Sequence, residues 1–224
     1  MRPSIDVLGS CERRACLILW VVAFVFPLAL AWQGIDVTDT GYCLVEYQRF
    51  FAGLPDSHQA PGTSLFYVTM LIGGVWQSLF GDLGSLGFRV LNVLTVWLIV
   101  FLCYQTLRGI ARPFVALAAV VCALLLVCPG SFTFLHYNTV TALFLTVTVY
   151  ALFRGITRRS MAWLAGAGAA CAACAFARLP NVAFIAVAAT IPLDAWLARE
   201  EGGVWRRRLV VFVGGLARLQ HFAS

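Results

Sequence analysis

The apolar segments and the arginines of this chain cannot both be satisfied if every segment crosses a membrane, and resolving that conflict fixes most of the topology. Seven apolar stretches stand at residues 16–32, 65–80, 88–107, 114–128, 140–153, 161–177 and 182–197, ahead of a shorter one that starts at Leu209. Were all seven to cross, Arg108, Arg112, Arg154, Arg158, Arg159, Arg199 and the Arg206-Arg207-Arg208 run would face the side opposite Arg13 and Arg14. That inverts the tendency of arginines in short loops to stay cytoplasmic. Leaving 65–80 uncrossed returns all of them to the side of Arg13 and Arg14. Stretch 65–80 is therefore expected to lie in the outer interface or to re-enter. Residues 33–87 then form one extracytoplasmic segment that holds Asp36, Asp39, Glu46, Asp56 and Asp82.

The composition excludes an ordinary soluble domain, with 61% hydrophobic and 12% charged residues and a mean hydropathy of +0.87. The expected fold is all-α and integral to the membrane: a polytopic helical bundle with six complete transmembrane helices, an incomplete seventh, and interfacial helices in the first outer loop. The stretches are short for crossing a hydrocarbon core of about 30 Å, which takes about 20 residues. All 16 basic residues are arginines, set singly or in short runs at span ends. Nucleic-acid binding would need them gathered on one face, so no nucleic-acid partner is expected. Arg13-Arg14, the apolar run behind them and Ala29-Leu30-Ala31 also resemble a secretory signal; the later spans favour a retained anchor. The eight cysteines form no framework. Cys171 and Cys174 have CxxC spacing but lack the second pair that zinc requires.

Residues 1–15 read as a polar cytoplasmic start and 1–224 as one transmembrane domain. A helix is expected over 40–52, where Leu44, Tyr47 and Phe51 recur at helical spacing opposite Glu46, Gln48 and Arg49. Such a helix beside a span lies on the membrane surface. Asp39 stands where it would cap that helix, and Gly53 and Pro55 would end it. Stretch 65–80 carries Gly73, Gly74, Gln77 and Ser78, which weaken it as a span, and 81–87 reads as a turn. Stretch 161–177 is mostly small residues that permit close helix approach. Arg218, Gln220 and His221 interrupt the last apolar run, so the chain is expected to be cut short. A partner chain would then supply the missing half.

Polar side chains gather on the outer side. Asp36 and Asp39 follow the first span, and His58 follows the surface helix. Arg89 stands at the mouth of the second crossing, Asn138 in a later loop, and Arg178 after the small-residue span. Arginines at headgroup level suit a lipid-linked phosphate, which they hold by paired hydrogen bonds. A carboxylate beside them suits a general base. Asp36 is placed to hold a divalent ion or an acceptor. Each residue also has a plain reading: Asp39 as a helix cap, Asp36 and His58 as loop residues, Arg89 and Arg178 as side chains reaching for headgroups.

Asp39-Thr40-Gly41-Tyr42 at the start of a surface helix resembles the acid-containing motif of GT-C-type glycosyltransferases. The order that follows is similar too: a turn with His58 and Pro61, an apolar stretch ending Phe80-Gly81, then Phe88-Arg89-Val90-Leu91-Asn92 entering a span that ends at Arg108. Protein mannosyltransferases and lipid A aminoarabinose transferases share this layout. The resemblance implies transfer of a sugar from a polyprenyl-phosphate donor on the extracytoplasmic face, with Asp39 as base. It also implies that Arg178 and His58 stand at positions where relatives keep basic residues. Thr40 replaces a usual second acid, and Asn138 stands where many relatives carry aspartate. Two other classes remain open: a transporter or flippase, and a non-catalytic scaffold. Transport paths need ionisable groups at mid-membrane, and the centres of these spans have none.

Overall fold

A computed structural model describes residues 10–32, 39–51, 66–131, 134–199 and 202–223. Among the described residues the chain is helical throughout, without a strand. The α-helices are α1 (Ser10–Leu30), α2 (Asp39–Arg49), α3 (Tyr67–Phe80), α4 (Gly84–Leu107), α5 (Pro113–Ser131), α6 (Tyr137–Thr157), α7 (Met161–Ala177), α8 (Thr190–Leu197) and α9 (Gly202–Ala223). A 3-10 turn, Gly81–Leu83, joins α3 to α4, and a 3-10 helix, Leu179–Ala189, leads into α8.

Among the described residues, four segments are long and apolar enough to cross a membrane: Cys11–Leu30, Tyr67–Leu107, Tyr137–Thr157 and Pro180–Leu197. The other two expected crossings, Pro113–Val127 and Met161–Ala177, are shorter apolar helices. Several sequence boundaries shift. The first helix begins at Ser10, so Arg13 and Arg14 ride on α1 and do not sit in a polar start. The helix does not break where the last apolar run does, because α9 starts at Gly202 and stays helical to Ala223. Arginine, glutamine and alanine are all adequate helix formers, so polarity there ends the hydrophobic run without ending the helix.

The helices define two ends. At one end α1 and α7 finish while α4 and α6 begin. Arg89 of α4 donates to the Ala31 carbonyl just past α1 (2.6 Å), and Phe88 meets Phe134 ahead of α6 (ring centroids 5.5 Å). Below them Trp97 donates to the Phe24 carbonyl (3.2 Å) and Trp20 meets Tyr104 edge-on, as antiparallel packing of α1 on α4 requires. At the other end lie the Arg108–Arg112 hairpin and the Arg158–Arg159 turn, in touch where Gly109 abuts the Phe153 ring. Arg159 and Arg199 both take left-handed backbones (φ 51° each), a conformation that favours glycine after a helix. Both positions keep a positive charge at the turn instead.

Among the described residues, the packing contacts of α3 fall at the first of these ends. Val68 and Ile72 pack on Leu135, Val140 and Ala177, and the Thr69 hydroxyl donates to the Ala177 carbonyl (3.1 Å). Met70 joins Cys43, Tyr47, Phe88 and Phe134. Gly73 lies under the Tyr47 ring, Gly74 under Phe50, and Trp76 against Gly87 at the start of α4. Fourteen residues of helix rise about 21 Å, yet both ends of α3 sit among the same helix termini. Gly84, at φ 53°, supplies the left-handed step that turns the chain into α4.

α7 is the hub of the second half, as its small residues allow. Leu164, Ala167, Cys171 and Cys174 are fully buried. Gly168 meets the backbone of Phe212, and Gly215 meets that of Ala165, so α7 and α9 cross with no side chain between them.

Candidate functional site

Of the residues singled out in the sequence, Asp39, Arg89, Asn138 and Arg178 are described and fall at the first end, and the structure joins two of them. Arg178 leaves α7 in an extended backbone conformation and donates from Nη1 to Oδ1 of Asn138 at 3.4 Å. Its guanidinium also lies 5.1 Å from the centroid of the Tyr137 ring, a cation–π contact. Tyr137 in turn stacks on Phe66 (4.9 Å) and on His136 (5.4 Å).

The local sequence explains this geometry. His136 takes an extended backbone and caps α6, its Nδ1 accepting from the Thr139 amide at 3.4 Å. Accepting at Nδ1 puts the proton of a neutral ring on Nε2. Thr139 is buried and donates its hydroxyl to the Phe134 carbonyl (3.4 Å), which fixes the turn before the helix. Across from it, Asn181 is buried and donates to the Thr141 hydroxyl (2.8 Å) and the Cys174 carbonyl (2.9 Å). That pair of bonds ties the 3-10 helix to α6 and α7 just beyond Arg178.

Arg178 is exposed, and its contact with Asn138 uses one of five guanidinium N–H donors. The remaining donors can take two oxygens of a phosphate in parallel. The first turn of α6 adds the positive end of its dipole beside them.

Arg89 does not join that pair. Its bond to the Ala31 carbonyl caps the negative end of α1, which holds α1 on α4. Asp39 is the first residue of α2 and is described by its backbone alone; Asp36 and His58 lie outside the described residues. The surface helix ends at Arg49, short of the expected 52. Its buried face is Cys43 and Tyr47, with Phe51 exposed, so the apolar stripe is turned by one residue from the sequence reading. Tyr47 is locked in place: its hydroxyl donates to the Leu135 carbonyl (3.1 Å) and its ring stacks on Phe88 (5.1 Å). Burial, and then the neighbouring Cys43, push its phenol well above the ordinary value. Among the described residues no group of three or more His, Cys, Asp or Glu side chains is gathered to hold a metal ion.

Tyr137 and Phe66 were not singled out in the sequence. The signal for Tyr137 was its place between His136 and Asn138, and nothing local marks Phe66 as its neighbour.

Among the described residues the chain is helical, with apolar helices long enough to cross a membrane, as a GT-C-type membrane glycosyltransferase requires. The sequence model of the dolichyl-phosphate-mannose-protein mannosyltransferase family matches residues 67–223, and the chain belongs to that family. No curated protein and no solved structure matches the chain.

Proposed function

We propose that the chain transfers a sugar from a polyprenyl-phosphate donor to an acceptor hydroxyl on the extracytoplasmic face of a cell membrane. In this reading α1, α4, α5, α6, α7 and the segment through α8 cross, the N-terminus is cytoplasmic, and α2 and α3 lie at the outer face. The gathering of all the α3 contacts at one end of the bundle supports that placement, and the arginine-bearing turns at the other end agree with it.

Asp39 takes the proton of the acceptor hydroxyl. The acceptor oxygen then bonds to the anomeric carbon as the bond from that carbon to the phosphate oxygen breaks, and the electron pair leaves with the polyprenyl phosphate. Arg178, oriented by Asn138 and the Tyr137 ring, neutralises the charge that develops on that phosphate. His58 and Asp36, which lie outside the described residues, are assigned to substrate binding from the sequence alone. Arg89 acts as a positioning residue, through α1. The contact between Arg178 and Asn138 carries this reading, because it aims a guanidinium at the boundary from two elements far apart in sequence.

The test is transfer of labelled sugar from a polyprenyl-phosphate donor by membranes containing the chain. Asp39→Asn is expected to lower the rate by roughly a hundredfold or more. Arg178→Ala should weaken donor binding and rate together, with Arg178→Lys restoring part. Full transfer by both variants at normal abundance would overturn the assignment, and donor movement without transfer would point to a transporter.

A further inference from the structure

A second feature runs from the opposite end of the bundle past its middle. A cavity of about 320 Å³ opens between α4, α5 and α6, lined by aliphatic side chains such as Val96, Ile99, Leu107, Val120 and Leu124, together with Cys103. Along α4 the lining runs from Val96 to Leu107, and it reaches Val127 on α5 and Ala142 on α6. From Pro113 at the hairpin to Val127, fourteen helical steps rise about 21 Å, past the middle of a hydrocarbon core of about 30 Å. The groove stops at Leu107, and the next residue is Arg108. Arg108 and Arg112, which flank the hairpin, are both exposed. Among the described residues neither is ion-paired. The Arg108 guanidinium lies over the Tyr104 ring at 5.9 Å, alongside the helix that forms the groove.

A long apolar trough that ends at two exposed arginines matches one molecule in shape and in charge. We propose that the groove holds an acyl chain of a resident anionic phospholipid from the leaflet on the hairpin side, its phosphate on Arg108 and Arg112. This occupant is not the donor lipid. Arg89, at the same end as Arg178, stands nineteen residues from Arg108 along α4, a rise of about 28 Å, so the Arg178 site and the hairpin arginines face opposite leaflets. The inference rests on the membrane placement proposed above but not on sugar transfer.

Native mass spectrometry of the detergent-purified chain, titrated with phosphatidylglycerol or phosphatidylcholine, tests it. One phosphatidylglycerol should be retained per chain, in preference to phosphatidylcholine. Two arginines near an anionic headgroup each contribute roughly a fivefold preference, so Arg108→Gln with Arg112→Gln should reduce retention roughly thirtyfold. Ala123→Trp, which fills the groove, should abolish it, with the helical circular dichroism of both variants unchanged. The arginine variants alter exposed side chains, so they remain informative if the tryptophan does not fold. Equal retention of the two lipids would overturn the proposal. So would retention that survives the groove-filling variant, or a polypeptide crosslinked to Cys103 in place of a lipid. Loss of transfer in Asp39→Asn would stand whichever way this result falls.

Discussion

Replacing Gly73 with alanine should unseat α2 from α3 and thereby disturb the helix that presents Asp39. A Cβ at Gly73 would fall on the Tyr47 ring, against its Cδ1, Cε1 and Cγ atoms. The ring has nowhere to go: Tyr47 is 1% exposed, stacked on Phe88 and hydrogen-bonded to the Leu135 carbonyl. Forcing a methyl into a packed core costs about 1–3 kcal/mol. Alanine recovers up to about 1 kcal/mol over glycine in helix propensity. The net destabilisation is up to about 2 kcal/mol, a melting point lower by up to several degrees for a chain of this size. Gly41→Ala on α2 is the control, since nothing lies within 4 Å of its Cβ, and it should be neutral or slightly stabilising. Cys43 supplies a second readout. It is fully buried, so in a background lacking the exposed Cys11 and Cys122 it should resist maleimide in the parent and react in Gly73→Ala. The Tyr47→Leu variant should relieve the clash, making the double variant more stable than the sum of the singles by about 1 kcal/mol. An additive pair, or a Gly73→Ala chain as stable and as protected at Cys43 as the parent, would refute the seating of α2 on α3.

Two other consequences follow from buried polar contacts. A tyrosine whose folded pKa is raised contributes stability that is complete below the ordinary value of 10.0 and is lost as pH rises towards the folded value. Melting should therefore fall above about pH 10, and Tyr47→Phe should flatten that fall while costing about 1 kcal/mol at neutral pH. Asn181→Ala removes both bonds to Thr141 and Cys174 and should destabilise the chain by about 1–2 kcal/mol, as read by thermal unfolding in detergent.

Much of the helix order could be read from hydropathy alone, since 3.6-residue geometry and apolar length need no partner. The burial of α7 was legible for the same kind of reason: a run of alanine and glycine has no other use in a membrane than close approach. The two glycines of α3 were read as weakness in a span. They are the seat for Tyr47 and Phe50, and a seat cannot be recognised until its occupant is known. That is also why the buried face of α2 was placed one residue off, leaving Cys43 looking exposed when it is fully enclosed. At the site, Arg178 and Asn138 were each picked out by type and position, but their contact spans 40 residues. The use of Arg89 as a cap on α1 depends on a carbonyl 58 residues away. Neither distance is written in any local pattern.

Sided thiol labelling of intact cells tests the placement of the Asp39 and Arg178 end most directly. Gln48→Cys on the exposed face of α2, Ser85→Cys at the start of α4 and Ile110→Cys in the hairpin would each be made in a background lacking Cys11 and Cys122. An impermeant maleimide added from outside should reach Gln48→Cys and Ser85→Cys, and should reach Ile110→Cys only after the membrane is opened. Labelling of Ser85→Cys from the side opposite Gln48→Cys would mean that α3 crosses, and would contradict an outer-face site built from α2, α6 and α7.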